Sequence, residues 1–125
     1  MNYREPLPEN CPPDESEEIT TARVVYRLVR SNPPVLDDFR SQRAEKPNAD
    51  FGKADECKAR GLSVYAIRAD CDKTLKLPRF RTHHVCEVVL DHGSGRIQQT
   101  LQPSHHTWWP LADFDIQAHC TLAAS

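Results

Sequence analysis

The sequence predicts a small α+β domain whose sheet is mainly antiparallel and carries two or three short helices. Its 125 residues match one ordinary domain that is long enough to bury a core. Strand patterns and short helical patterns are separated by long connections, which favours an antiparallel sheet over a doubly wound parallel one. Ten prolines against four glycines indicate extended or irregular connections. We expect one domain over residues 21–125, preceded by a leader at residues 1–20.

The leader differs from the body in charge and in backbone character. It carries six acidic side chains against Arg4, so the rest of the chain is slightly basic although the net charge is −2. Its four prolines prevent a regular helix or a central strand. We therefore expect the leader to be mobile or laid along the surface. An alternative role is to mask a basic groove and compete with an anionic ligand.

The first half of the body predicts a strand followed by two helices. Residues 22–30 are rich in β-branched and aromatic side chains, which is typical of a core strand. Residues 35–44 place apolar groups at helical spacing behind a proline, with acids early and bases late. The polar segment 45–52 predicts a loop. Residues 53–60 then predict a short helix that ends at Gly61.

The second half of the body predicts more strand than helix. Alternating apolar residues indicate strands, and the turn formers between the last two strands predict a hairpin. The expected elements are, in order, a strand at 62–67, a short helix at 69–77, the hairpin strands 84–90 and 96–101 around the turn 91–95, and a closing helix or edge element at 114–120.

Membrane and secretory classes do not fit the sequence. No apolar run approaches the roughly 18 to 20 residues that span a bilayer, and the N-terminus lacks the apolar core of a secretory signal. The cysteines are odd in number, scattered, and without a CxxC pair. These features predict a cytoplasmic protein with reduced thiols at Cys11, Cys57, Cys71, Cys86 and Cys120.

The segment 104–110 concentrates more side-chain chemistry than any other part of the chain. It holds both tryptophans, Trp108 and Trp109, beside His105 and His106. Indoles suit half-buried pocket walls because they are apolar and carry one N–H group. An imidazole there could carry a proton or bind an oxygen-rich ligand, or the two could simply orient a turn by hydrogen bonds.

The six histidines leave a metal site open as an alternative. Neutral imidazoles bind zinc, copper or nickel. Adjacent histidines on a strand point to opposite faces, so one of each pair at most would enter a common site. No HxH or HExxH spacing is present. The sequence therefore favours a site without metal.

Arginines and aromatic rings predict a nucleotide pocket. Arg27 on the first strand could hold a phosphate, since guanidinium groups bind phosphate through paired hydrogen bonds. Tyr65, Trp108 and Trp109 could stack on a nucleobase or on nicotinamide. Nucleic acid is disfavoured as the main partner, because the body is only mildly basic and no recognition motif is present.

Several segments between residues 22 and 112 resemble other proteins. The YRLVR strand at 26–30, the NPP at 32–34, the GLSVY at 61–65 and the HHTWW at 105–109 look like those of a group of small bacterial proteins without an assigned function. The order of parts is more distantly similar to that of ADP-ribosyltransferase-like domains. That resemblance implies binding of nicotinamide adenine dinucleotide (NAD), with Arg27 on the dinucleotide, Ser63 as the central-strand serine and Glu87 as the catalytic glutamate.

The late strand departs from the transferase pattern. The expected Glu-x-Glu or Gln-x-Glu is absent, and Gln98-Gln99 is the nearest equivalent. Three functions therefore remain open. The first is a nucleotide-pocket domain that is an enzyme or a degenerate relative, with Glu87, His105 and His106 as its catalytic candidates. The second is a protein-interaction module of a toxin or defence cassette, anchored by the tryptophans. The third is a histidine-ligated metal protein.

Overall fold

A seven-stranded antiparallel sheet organises the computed structural model of the protein, which describes residues 2–101 and 103–124. Its order is β1-β5-β6-β3-β2-β4-β7. The prediction of an α+β fold with a mainly antiparallel sheet is confirmed. The strands are β1 (Glu17–Glu18), β2 (Arg23–Val29), β3 (Leu62–Tyr65), β4 (His84–Leu90), β5 (Gly95–Leu101), β6 (His105–Pro110) and β7 (Cys120–Leu122).

Three short α-helices accompany the sheet: α1 (Gln42–Glu45), α2 (Glu56–Ala59) and α3 (Arg68–Leu75). The continuous helix predicted over residues 35–44 is wrong, because a 3-10 turn at Leu36–Asp38 precedes α1. The Asp38 carboxylate accepts hydrogen bonds from the backbone N–H groups of Arg30, Ser31 and Val35. Burial raises the pKa of Asp38, but these bonds outweigh it and hold the pKa below its usual value. The carboxylate therefore organises a turn in this segment.

The predicted hairpin between residues 84–90 and 96–101 is also wrong. β4 pairs with β2 over seven residues and with β7 on its other side. β5 pairs instead with β1 and β6. The segment 91–95 does contain a turn, in which the Ser94 N–H donates to the Asp91 carbonyl at 3.0 Å, but turn chemistry does not specify which strand lies alongside.

The sheet is divided between β2 and β3. Tyr26 and Tyr65 form the single residue pair between these strands, whereas β2 and β4 pair along their full length. β3 pairs over all four of its residues with β6. Beyond the Tyr26–Tyr65 pair, β2 and β3 therefore turn unpaired edges toward each other.

The leader lies along the body, which is one of the two placements expected for it. β1 pairs with β5 at an edge of the sheet, and Tyr3 bridges to Leu111. Ile19 is buried in the core. The Arg60 guanidinium donates to the Pro6 carbonyl across 54 positions of sequence. The leader thus contributes both a strand and core surface.

A disulfide joins the leader to the body. Cys11 and Cys57 are bonded, with their Cα atoms 5.7 Å apart, so the prediction that all five cysteines are reduced is wrong for this pair. The two positions lie 46 residues apart, and only the fold brings them together. The other three cysteines are free and buried. Burial raises the pKa of both Cys71 and Cys86 to about 12.

No helix within residues 2–101 and 103–124 is long and apolar enough to cross a membrane.

Candidate functional site

A cleft of about 850 Å³ opens where β2 and β3 separate. Four of the eight predicted site residues line it: Arg27, Ser63, Tyr65 and His105. They come from three strands that are distant in sequence, and the division of the sheet brings them to one cavity. The cleft is therefore the candidate site.

The Arg27 guanidinium spans the division of the sheet. Its Nη1 donates to the Ser63 carbonyl at 2.8 Å, which satisfies a group on the unpaired edge of β3. Its Nε and Nη2 donate to the Asp38 and Arg40 carbonyls at 3.1 and 3.3 Å. Burial lowers the pKa of Arg27, and no carboxylate in the described chain lies within ion-pair distance of it. The half-buried guanidinium is thus hydrogen-bonded to three backbone carbonyls and is not ion-paired with a carboxylate.

The other wall of the cleft consists of short elements that follow β2. The 3-10 turn, α1 and α2 all contribute, and Phe39 packs under the Arg27 guanidinium at 5.6 Å from ring centroid to Cζ. Six Lys or Arg side chains line the whole cleft against four Asp or Glu. Two of the four acids have partners, since Asp38 caps the turn and Glu45 pairs with Arg30 at 3.3 Å. The lining therefore carries an excess of positive charge.

A chain of polar groups forms the β5–β6 side of the cleft. The Thr100 hydroxyl lies 2.9 Å from His105 Nδ1 and 3.0 Å from the Thr107 hydroxyl. His105 packs edge-on against Tyr65, with ring centroids 5.4 Å apart. Burial, and secondly His106, lower the pKa of His105. Both effects favour the neutral imidazole, which has one unprotonated ring nitrogen that can accept a proton.

A second aromatic cluster lies at another part of the lining. Phe80 packs edge-on against His83 at 5.1 Å, and the Arg79 guanidinium lies 4.8 Å from the centre of the Phe80 ring. His83 Nδ1 is buried without a hydrogen-bond partner in the structure. Burial, followed by the charge of Arg30, lowers the pKa of His83. This cluster combines a cation, a ring face and an open hydrogen-bonding group.

Two of the predicted catalytic residues lie outside the cleft lining. Glu87 is half-buried on β4, paired with Tyr26 and Thr121 in neighbouring strands. His106 follows His105 on β6, and its Nδ1 bonds to the Ser104 carbonyl at 2.7 Å. Adjacent strand residues point to opposite faces. The structure therefore brings together His105, Arg27, Ser63 and Tyr65 without Glu87 or His106.

Both tryptophans are core residues, which corrects the expectation of half-buried pocket walls. Trp108 is 0% and Trp109 1% exposed, and neither lines the cleft. Their indole N–H groups donate to the backbone carbonyls of Ser94 and Cys57 at 3.0 and 2.9 Å. These two carbonyls satisfy the indole N–H groups. Because both rings are buried, neither has a free face for a ligand ring or a protein partner. The predicted roles as ligand-stacking residues and as interface anchors do not fit this placement.

Sequence reasoning did not assign Thr100 or Phe80 to the site, and it considered His83 only as a metal ligand. Thr100 lies in a strand that was correctly located, but its pairing partner was not. Phe80 and His83 lie in the connection after α3, where no repeating pattern indicates a contact. The proximity of Arg79 to Phe80 in sequence was the one local signal of this cluster.

Metal binding finds no support in the side-chain arrangement. Across the part of the chain that the structure describes, no three His, Cys, Asp or Glu side chains are grouped so as to hold a metal ion.

Comparison of the chain with protein-family models, curated proteins and solved structures finds no match in any of the three.

Proposed function

We propose that the cleft between β2 and β3 binds a small phosphate-bearing ligand of the nucleotide class. The observation that carries the proposal is the half-buried Arg27 guanidinium, which lines the cleft and forms no ion pair with a carboxylate of the described residues. A guanidinium has five N–H donors, and the three carbonyls use three of them. The remaining donors suit a phosphate oxygen.

Electrostatics favour an anion at this position. Attraction between charges is stronger in a partly desolvated cleft than in water. The excess of basic over acidic lining residues adds to the field of Arg27. Arg79 contributes a more exposed cation that is held against Phe80.

Rings on the lining supply a place for the apolar part of a nucleotide. Tyr65, Phe80 and Phe51 line the cleft, and such faces stack on nucleobases. A volume of about 850 Å³ lies within the range of ligand pockets. Phosphate selection by arginines and stacking by rings together favour a nucleotide over inorganic phosphate.

NAD is one member of this class, and the fit to it is partial. Arg27 and Ser63, which the transferase resemblance assigns to dinucleotide binding and to the central strand, both line the cleft. Glu87, the carboxylate that the resemblance assigns to catalysis, does not. The arrangement therefore supports binding and gives no support to ADP-ribosyl transfer.

Isothermal calorimetry of the full chain tests the proposal. NAD, ADP-ribose and ATP are titrated in parallel with adenosine, which has the ring and no phosphate. We expect saturable binding of at least one phosphorylated ligand and much weaker binding of adenosine. Calorimetry is preferred to tryptophan fluorescence because both indoles are buried away from the cleft.

Matched arginine variants give the control. Arg79→Gln removes a cleft cation and is expected to weaken binding by about tenfold, the value of one charge-assisted hydrogen bond. Arg81→Gln removes an exposed cation that does not line the cleft, and should leave affinity unchanged. Absence of binding by every phosphorylated ligand, or equal loss in both variants, would refute the proposal.

A further inference from the structure

We propose that Thr100 and His105 form a nucleophile and base pair able to take an acyl group from an activated ester. The inference concerns a covalent activity in the cleft and does not require that a nucleotide bind. It rests on the position of Thr100 in β5, on its two hydrogen bonds, and on its access to the cleft.

A β-bulge places the Thr100 hydroxyl. Along the β5–β6 ladder Gln99 pairs with His106 and Leu101 pairs with His105, so Thr100 is the extra residue between them. A bulge of this kind leaves one residue unpaired and changes the direction of its side chain. Thr100 thereby reaches both His105 and Thr107 on the neighbouring strand.

The hydrogen bonds suit a hydroxyl that loses its proton. With the imidazole proton on Nε2, His105 Nδ1 accepts the Thr100 hydroxyl at 2.9 Å. The Thr100 oxygen then remains free to accept from the Thr107 hydroxyl at 3.0 Å. A hydroxyl within hydrogen-bond reach of a neutral imidazole is the geometry of an activated nucleophile. Thr107 acts as a positioning residue, because it is 4% exposed and holds the Thr100 oxygen.

The pair is accessible from the cleft. Thr100 and His105 both line it and both are half-buried, so a small ester can approach while part of the surrounding water is excluded. Tyr65 packs against the His105 ring and limits its rotation. Burial lowers the pKa of His105 and so favours the neutral imidazole that a base requires.

The chemistry has two balanced steps. First, the Thr100 oxygen attacks the carbonyl carbon of the ester while His105 Nδ1 takes the hydroxyl proton. The carbon–oxygen bond to the leaving alcohol breaks, and that alcohol departs with the proton from His105. Second, water attacks the threonine ester and gives its proton to His105, which releases the carboxylic acid and returns the proton to Thr100.

Incubation of the full chain with 4-nitrophenyl acetate tests the inference. Release of 4-nitrophenolate is followed by absorbance, and peptide mass mapping locates the acetyl group. We expect acetylation at Thr100 and a rate that falls about tenfold or more in Thr100→Val and in His105→Gln. Thr100→Ser keeps a hydroxyl and should retain acetylation. Thr121→Val alters an exposed strand threonine outside the cleft and should leave the rate unchanged.

The outcomes separate this inference from ligand binding. An acetyl group found on lysines and not on residue 100, or an unchanged rate in Thr100→Val, overturns the inference. If Thr100→Val does not fold, equal acetylation of the wild type and His105→Gln overturns it in the same way. The assay contains no nucleotide, so a negative result leaves the calorimetric test of nucleotide binding intact, and the reverse also holds.

Discussion

The Arg27 guanidinium donates a hydrogen bond of 2.8 Å to the Ser63 carbonyl across the gap between β2 and β3. The same group holds the carbonyls of Asp38 and Arg40. The Arg27 side chain thus links the unpaired edge of β3 to Asp38 and Arg40, which lie in the other wall of the cleft. Arg27 therefore stabilises the fold and also supplies positive charge to the cleft.

Arg27→Ala is expected to lower the free energy of unfolding by about 2–4 kcal/mol, because three carbonyls lose a charged donor. Urea denaturation measures the change. Arg23→Ala provides the control, since Arg23 lies on the same strand and makes none of these three bonds. Equal midpoints for the two variants would contradict the linking role of Arg27.

Thiol counting checks the disulfide between Cys11 and Cys57. Denatured protein that has not been reduced should expose three free thiols, whereas a fully reduced chain exposes five. Cys11→Ser with Cys57→Ser should lower the free energy of unfolding by about 2–4 kcal/mol, because the bond closes a long loop in the unfolded chain. Ellman's reagent gives the count, and urea denaturation under non-reducing conditions gives the stability.

Cys71→Ala provides a comparison for the disulfide variant, since Cys71 is a buried cysteine outside the bond. It should leave two free thiols and an intact link between leader and body. Five free thiols in the unreduced wild type would contradict the bond.

Gly95 and Gly93 form a matched pair for a backbone test. A Cβ at Gly95, where φ is +125°, would lie 2.0 Å from the Trp109 carbonyl oxygen. Gly95→Ala should therefore cost about 3 kcal/mol or more. Gly93 has φ of +85° with nothing within 4 Å of the added carbon, so Gly93→Ala should cost about 1 kcal/mol. Thermal melts that rank the two variants in the opposite order would contradict this packing.

Stability should fall as the pH decreases from about 7.5 to 5.5. The folded-state pKa values of His83 and His105 lie below the usual 6.5, mainly because both groups are buried. Their neutral forms favour folding above about pH 6.5, and this contribution is lost as the pH falls through the unfolded value toward the folded ones. Urea midpoints at several pH values measure the effect.

Substitution of the two histidines isolates their contribution to the pH effect. The double variant His83→Gln with His105→Gln should flatten the dependence, whereas His92→Gln in an exposed loop should not. Glu56, whose pKa two arginine hydrogen bonds lower to about 2, contributes at more acidic pH, below its usual value of 4.5. A wild-type urea midpoint that does not change between about pH 7.5 and 5.5 would contradict the burial of the His83 and His105 imidazoles.

Much of the secondary structure was predictable because it depends on local pattern. The strand predicted at 84–90 is observed as His84–Leu90, and the one at 22–30 as Arg23–Val29. Both have β-branched residues in an alternation that neighbours along the chain determine. The helix at 35–44 failed because the Asp38 carboxylate competes for backbone N–H groups.

The position of the candidate site was predictable in part. Arg27, Ser63, Tyr65 and His105 do meet in one cleft, while Thr100 joins them only through a bulge that depends on pairing with β6. The tryptophans illustrate the limit of composition as a guide. Two adjacent indoles are equally suited to a pocket wall and to a core, and their burial depends on which strands pack around them.

The fold class and the strands β2, β3, β4 and β5 could be predicted from the sequence, because they follow from residue type and short-range periodicity. The same holds for the concentration of histidine and tryptophan side chains in the segment 104–110, although the strand β6 that carries them was not predicted. Four features became visible only in the folded chain: the strand order, the division of the sheet at Tyr26 and Tyr65, the bond between Cys11 and Cys57, and the position of Glu87 outside the cleft. These features depend on contacts between segments that lie far apart in the chain, and local pattern carries no record of which distant segments will pack together.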